Sequence, residues 1–246
     1  MICLILAAGY ATRLYPLTEN FPKPLLKVGE KTILDHLTDD LAKGGHISEF
    51  VVISNHKFVS HFEKWAKEKS YKITVVDDGT ESNETRLGAV RDIQFAIETL
   101  NINDDVLVIA GDNILDFSLN LFIEYAKEKN ASAVMRYFES DVACLRKCGV
   151  MEIEKDGRII DLVEKPKEPK TNWCCPPFYV YMKDDIAQLT RAIKEGCGVD
   201  APGSLVTWMC HNTRVYAFEM PGKRFDIGDL DSYEKVQKEY RGIKIV

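Results

Sequence analysis

Along the first half of the chain, short apolar runs alternate with longer segments whose apolar positions recur every third or fourth residue. Ile2-Cys3-Leu4-Ile5-Leu6 is apolar throughout and ends in Ala7-Ala8-Gly9, the pattern of a buried strand entering a glycine turn. Ile33, Leu37 and Leu41 make one stripe, and Thr32 with Asp35 resembles a capping box, so residues 32–43 are predicted as a helix. Residues 50–54 read as a second strand, and Phe58, Phe62, Trp65 and Ala66 have the spacing of a helix face. Residues 71–76 read as a third strand, followed by helical spacing at Ala89, Ile93, Ala96, Ile97 and Leu100. A fourth strand at 106–110 closes on Gly111-Asp112, and a helix at 119–129 leads to a strand at 131–138.

Strands that are apolar on both faces belong to a sheet covered by helices on both sides. With right-handed crossovers, this alternation predicts an α/β fold: a three-layer, doubly wound, Rossmann-like and mostly parallel sheet. The pattern changes after residue 138. Residues 150–153 and 158–163 flank Lys155-Asp156-Gly157, an Asp-Gly turn signal, and read as a hairpin. Further strands are predicted at 178–182 and 214–218, and helices at 184–194, 205–211 and 230–240. No repeat or linker interrupts the chain. The expectation is one domain over 1–246, whose first half at 1–138 forms the sheet and whose second half at 139–246 adds a sub-region over it.

Composition narrows the class. The chain has 246 residues, 46% hydrophobic and 28% charged, as in an ordinary globular protein. Its formal net charge of -6 speaks against nucleic acid or an anionic membrane as the main partner. Residues 1–8 are apolar but carry no basic leader and are too short to span a bilayer. The cysteines number seven, an odd count, and no CxxC pair or neighbouring histidine supports Cys144-x3-Cys148 or Cys174-Cys175 as metal ligands. Reduced thiols in a cytoplasmic protein are expected.

The candidate chemistry starts at the end of the first strand, with Leu6-Ala7-Ala8-Gly9-Tyr10-Ala11-Thr12-Arg13-Leu14-Tyr15-Pro16-Leu17-Thr18 and then Phe21-Pro22-Lys23-Pro24-Leu25-Leu26. A small-residue loop at the carboxyl edge of such a sheet lets backbone N–H groups approach phosphate oxygens. Arg13 offers a planar fork and Lys23 a point charge. The residues alone also allow a surface turn with two solvated cations. No GxxxxGK[ST] string occurs, which removes the P-loop alternative.

The segment resembles the signature of the sugar-1-phosphate nucleotidyltransferase family, in its short glucose-1-phosphate thymidylyltransferase-like form. The resemblance continues at Gly79 to Gly88, Gly111-Asp112-Asn113, Gly149-Val150, Glu164-Lys165-Pro166 and Phe225-Asp226-Ile227-Gly228-Asp229. Ala11 departs from the usual glycine. Cys174-Cys175-Pro176-Pro177-Phe178 departs from the Thr-Ala or Thr-Gly step beside the sugar, so the sugar is left open.

The resemblance implies roles. Ala7, Ala8, Gly9, Arg13 and Lys23 would hold the triphosphate, and Asn83 and Gly88 the base, with dTTP or UTP favoured. Asp112 and Asp226 would hold Mg²⁺. Gly149, Glu164 and Lys165 would hold the sugar phosphate. Arg13, Lys23, Asp112 and Asp226 then carry the catalysis: transfer of a nucleotidyl group from a nucleoside triphosphate to a sugar 1-phosphate, with release of pyrophosphate. An ionised phosphate needs no general base, which suits a chain in which none of His36, His46, His56, His61 and His211 stands out. The alternatives are a cytidylyltransferase for a small phospho-alcohol and a non-catalytic regulatory homologue. Partners are limited to the two substrates, for a monomer or a homo-oligomer.

Overall fold

A computed structural model describes residues 1–246. Up to residue 115 the strands are β1 (Ile2–Leu6), β2 (Lys27–Val28), β3 (Lys31–Thr32), β4 (Glu49–Ser54), β5 (Ile73–Asp77), β6 (Val106–Ala110) and β7 (Asn113–Leu115). The later ones are β8 (Ser132–Phe138), β9 (Gly149–Ile153), β10 (Ile159–Glu164), β11 (Trp173–Cys175), β12 (Phe178–Tyr181), β13 (Val215–Glu219) and β14 (Arg224–Asp226). The helices are α1 (Ile33–Gly44), α2 (Val59–Lys67), α3 (Ala89–Leu100), α4 (Asn120–Lys129), α5 (Val142–Leu145), α6 (Lys183–Ile186), α7 (Leu189–Lys194), α8 (Gly203–Asn212) and α9 (Leu230–Glu239). The class is α/β, with a mixed sheet flanked by helices. Contacts divide the chain into two compact units. The first comprises Met1–Arg86, Ile109–Leu121 and Pro221–Val246, and the second Leu87–Val108 and Phe122–Met220.

In the first unit β1 pairs with β4 and β4 with β5, all parallel. Val51, Val52 and Ile53 are fully buried, which is why the central strand carries no polar alternation. The capping box at α1 forms as predicted. Thr32 Oγ1 accepts from Asp35 N at 3.0 Å, and the Asp35 carboxylate accepts from Thr32 N at 2.9 Å. Burial pushes the Asp35 carboxyl up, but bonds from Lys69, Trp65 and Thr32 outweigh it and hold the group below the ordinary aspartate range.

A separate core of this unit joins Leu14, Val28, Ile33, Ile114, Ile227 and Val236. It takes side chains from the loop after β1, from α1, from β7 and from the last segment of the chain. Each such side chain contributes about 1.5–3 kcal/mol by leaving water. Helix α9 adds polar ties, with Tyr233 Oη and Gln237 Nε2 both donating to Lys27 O at 2.6 Å. Residues more than two hundred positions from the first loop therefore hold it in place.

In the second unit β8 is the hub. It pairs with β12 and β11 antiparallel and with β13 parallel. β9 pairs with β10 and β11, both antiparallel. The predicted hairpin forms, with Gly157 at φ +90° in its turn.

The structure corrects the predicted helix at 184–194, which is two short helices, α6 and α7. The i→i+3 bond from Gln188 N to Asp185 O tightens the chain between them. Strands β7, β11 and β14 have three residues each and carry no readable period. Helix α3 belongs by its contacts to the second unit, where Ala89 N donates to Asp200 O at 3.1 Å and Val90 N to Val199 O at 3.0 Å.

Candidate active site

The loop after β1 is fixed by polar side chains that face inward. Asn55 is fully buried; its Nδ2 donates to Ala8 O at 2.9 Å while its Oδ1 accepts from Phe58 N at 3.1 Å. Thr18, also fully buried, donates to Ala11 O at 2.8 Å. Tyr10 Oη donates to Thr80 O at 3.0 Å. These three ties leave Gly9 exposed, with open space where a side chain would stand. Backbone there is free to meet a phosphate.

Ala11 takes the left-handed conformation, φ 47° and ψ 42°. An alanine there costs about 1–2 kcal/mol relative to right-handed backbone. The strain is held by the Thr18 bond and by packing of Ala11 on the Leu14–Ile227 core.

Gly9, Lys23, Gly111 and Asp112 line one cavity of about 110 Å³, with Ala7 and Pro24 among its walls. A side chain on Gly111 would come 3.2 Å from Pro24 Cγ and 3.3 Å from Leu6 O, so a glycine lets the turn after β6 pass close to the loop. Lys23 Nζ sits 2.7 Å from Asp112 Oδ2 and 2.9 Å from Ile227 O. Its side chain is 13% exposed, and that of Asp112 31%.

Strands β7 and β14 bring together the two chain segments that carry the candidate metal carboxylates. They pair antiparallel with Asp226 opposite Asn113, and Ile227 N donates to Asp112 O at 3.1 Å. Asn113, 1% exposed, donates from Nδ2 to Asp112 Oδ1 at 2.7 Å. Arg224 then donates from Nη1 to Asn113 Oδ1 at 2.7 Å and lies 3.2 Å from Asp226 Oδ2. Asn113 and Arg224 thus tie the two carboxylates into one chain of contacts. Sequence reasoning gave neither residue a role, because a buried amide and an arginine near a short strand carry no signal.

This donor set fits a divalent cation. Asp226 ends β14 and Asp112 immediately precedes its partner strand β7; both are hard oxygen donors, and each oxygen keeps lone pairs beyond its present partner. Arg13 is exposed in the short helical turn at Thr12–Leu14, and its guanidinium lies beside Gly228, 3.7 Å from where a side chain there would begin. Asn83 is exposed, and its Oδ1 accepts from Arg86 Nη1 at 3.3 Å. All eight of these predicted residues, from Ala7 to Asp226, fall in the first unit.

The other four, Gly88, Gly149, Glu164 and Lys165, fall in the second. Gly88 caps α3 at φ +94°, and a Cβ there would lie 2.6 Å from Val199 O. Its glycine is explained by that approach. Gly149 pairs with Glu164 across β9 and β10 and with Cys175 across β9 and β11. Lys165 holds φ +49°, with its N–H on Cys148 O at 2.9 Å. A non-glycine residue in that region is strained, and such strain clusters at functional sites. Nearby Lys170 is engaged by Glu152 at 2.7 Å. Of the departing cysteine pair, Cys174 is fully buried against Leu145 and Val150, so Cys175 alone stands beside Gly149.

A family profile described as nucleotidyl transferase matches residues 2–242. The chain belongs to this family. Among its relatives is a candidate mannose-1-phosphate guanyltransferase of Sulfolobus acidocaldarius, 28% identical over 98% of this chain and 63% of that one. Another is a UTP–glucose-1-phosphate uridylyltransferase of Haloferax volcanii, 27% identical over 97% of each chain. The chain therefore spans less than two thirds of the first relative and nearly all of the second. A solved UDP-glucose pyrophosphorylase in complex with UDP-glucose has a TM-score of 0.82 at 20% identity, covering 97% of each chain. That likeness carries the Rossmann-like fold. No helix is long and apolar enough to cross a membrane, and all seven cysteines are free thiols.

Proposed function

We propose that this nucleotidyl transferase family member joins a nucleotide to a sugar 1-phosphate and releases pyrophosphate. The observation that carries the reading is the Lys23 ammonium, held 2.7 Å from Asp112 in a cavity bordered by Gly9. A cation, a carboxylate and open backbone amides together suit a polyphosphate and its counter-cation.

An oxygen of the sugar 1-phosphate attacks the α-phosphorus in line. The new P–O bond forms as the bond to the bridging α–β oxygen breaks, and pyrophosphate leaves with that electron pair. Both reactants are polyanions, so catalysis is mostly alignment and charge neutralisation. Lys23 neutralises charge on the α-phosphate, and Arg13 offers its fork to the leaving phosphates. Gly9 and the loop behind it bring backbone N–H groups to the same oxygens. Asp112 and Asp226 would hold the cation, Mg²⁺ in this reading, positioned by Asn113 and Arg224. When bound, that cation supplies charge neutralisation and a template for the phosphates. The attacking phosphate is already ionised near pH 7, with a second pKa of about 6.

We assign the acceptor to Gly149, Glu164 and Lys165, with the Lys165 ammonium on its phosphate. The base reading rests on Asn83 and Gly88 and favours dTTP or UTP, since an amide can pair with the donor–acceptor edge of uracil or thymine. The cytoplasm is the setting we infer, from the free thiols.

Pyrophosphate release, measured over a grid of nucleoside triphosphates and phosphorylated acceptors, tests this. Release is expected only with both substrates present, with a sugar 1-phosphate preferred to a small phospho-alcohol and with dTTP or UTP fastest. A hydrogen-bonded base site discriminates by leaving polar groups unpaired in the wrong complex. Faster turnover with CTP or GTP at equal concentration would overturn the base assignment.

A further inference from the structure

Helix α8 opens on a glycine, Gly203. Glycine is a poor helix former, so its presence asks for a reason. Gly203 does not adopt the left-handed backbone that would call for it. Glu164, the last residue of β10, stands against it instead. A Cβ on Gly203 would overlap Glu164 Oε1 and lie 3.0 Å from the carboxyl carbon. From the other side, a Cβ on Gly149 would come 3.3 Å from the same oxygen. The carboxylate is thus lodged between two glycines on different elements. Burial pushes the Glu164 carboxyl above the ordinary glutamate range, and Lys165 and the Gly203 amide oppose that rise.

We propose that Gly203 is a positioning residue for the acceptor: its missing side chain is the space the Glu164 carboxylate occupies, and through Glu164 it sets the fit of the sugar. The inference rests on the reading that Glu164 contacts the sugar phosphate. A glutamate side chain is flexible, so a methyl group at position 203 displaces the carboxylate and leaves the backbone intact. Displacement of about 1 Å at a positioning group can cost up to about 100-fold. Because the Gly203 amide bonds that carboxylate, the displacement also takes a partner from the first turn of α8, so the deciding readout is the split between the two KM values.

Steady-state kinetics on Gly203→Ala, Glu164→Gln, Glu164→Asp and the double variant Gly203→Ala/Glu164→Asp test the idea. Gly203→Ala should raise KM for the sugar 1-phosphate by about tenfold or more. Its KM for the nucleotide should stay within about twofold, a split that a general loss of stability would not produce. Glu164→Asp shortens the side chain by one methylene. It should harm the native protein, yet lower the acceptor KM of Gly203→Ala, because the shorter carboxylate clears the new methyl. An unchanged acceptor KM in Gly203→Ala, or an equal rise in the nucleotide KM, overturns the positioning role. So does a double variant worse than Gly203→Ala. An unchanged acceptor KM in Glu164→Gln overturns the acceptor reading itself, and the positioning role with it.

Discussion

Lys23→Ala should lose on the order of 100- to 1000-fold in turnover, the scale for removing one preorganised charge stabiliser. Lys23 Nζ lies on the cavity that holds Gly9 and Asp112, and its carbon chain is largely buried. Loss of the pair with Asp112 should cost about 0–1 kcal/mol in stability, because that carboxylate is nearly a third exposed. Metal binding separates this role from a structural one. Lys23 competes with a cation for Asp112 Oδ2, so Lys23→Ala should bind Mn²⁺ as tightly as the native protein or more tightly, even as turnover collapses. Near-normal turnover, or weaker Mn²⁺ binding measured by electron paramagnetic resonance, would show the assignment to be wrong.

The two aspartates should give the other large effect. Asp112 and Asp226 are linked through the β7–β14 pairing and through Asn113 and Arg224. If they share one cation, each alone is nearly as damaging as both, because groups acting as a unit are not additive. Asp112→Asn, Asp226→Asn and the double variant should sit near one residual rate, roughly 1000-fold or more below native turnover. Each should also lose Mn²⁺ binding. Rate losses that multiply in the double variant, or Mn²⁺ affinity retained in either single variant, would contradict a shared site.

The strand-by-strand reading of the sequence reached the parts of the fold where one residue type repeats. β1, β4 and β6 are apolar on both faces and could be read as buried parallel strands. The α1 capping box and the Gly157 turn depend on chemistry local to a few residues, and both formed as predicted. The missing parts depend on distant partners. β7 and β14 are three residues long, and their register is set by a core drawn from both ends of the chain. Contacts likewise assign residues 87–108 to the second unit and 221–246 to the first, which no local period reveals.

The candidate site divides the same way. Arg13, Lys23, Asp112 and Asp226 stood out because a family string carries them. Asn55 and Thr18 did not, because a polar residue buried to hold a loop has the same sequence appearance as a solvated one. Gly203 lies outside the helix predicted at 205–211, so the sequence offered no reason for its missing side chain. Finding one required the position of Glu164.

Label transfer tests the central claim most directly. Nucleoside triphosphate labelled with ³²P at the α-position, and separately at the γ-position, is incubated with sugar 1-phosphate and the protein. Attack at the α-phosphorus predicts that the α-label moves into the sugar nucleotide while the γ-label appears in pyrophosphate. Recovery of the γ-label in the sugar or as orthophosphate would mean that a different phosphorus is attacked, and the account of Lys23, Asp112 and Asp226 would fall with it.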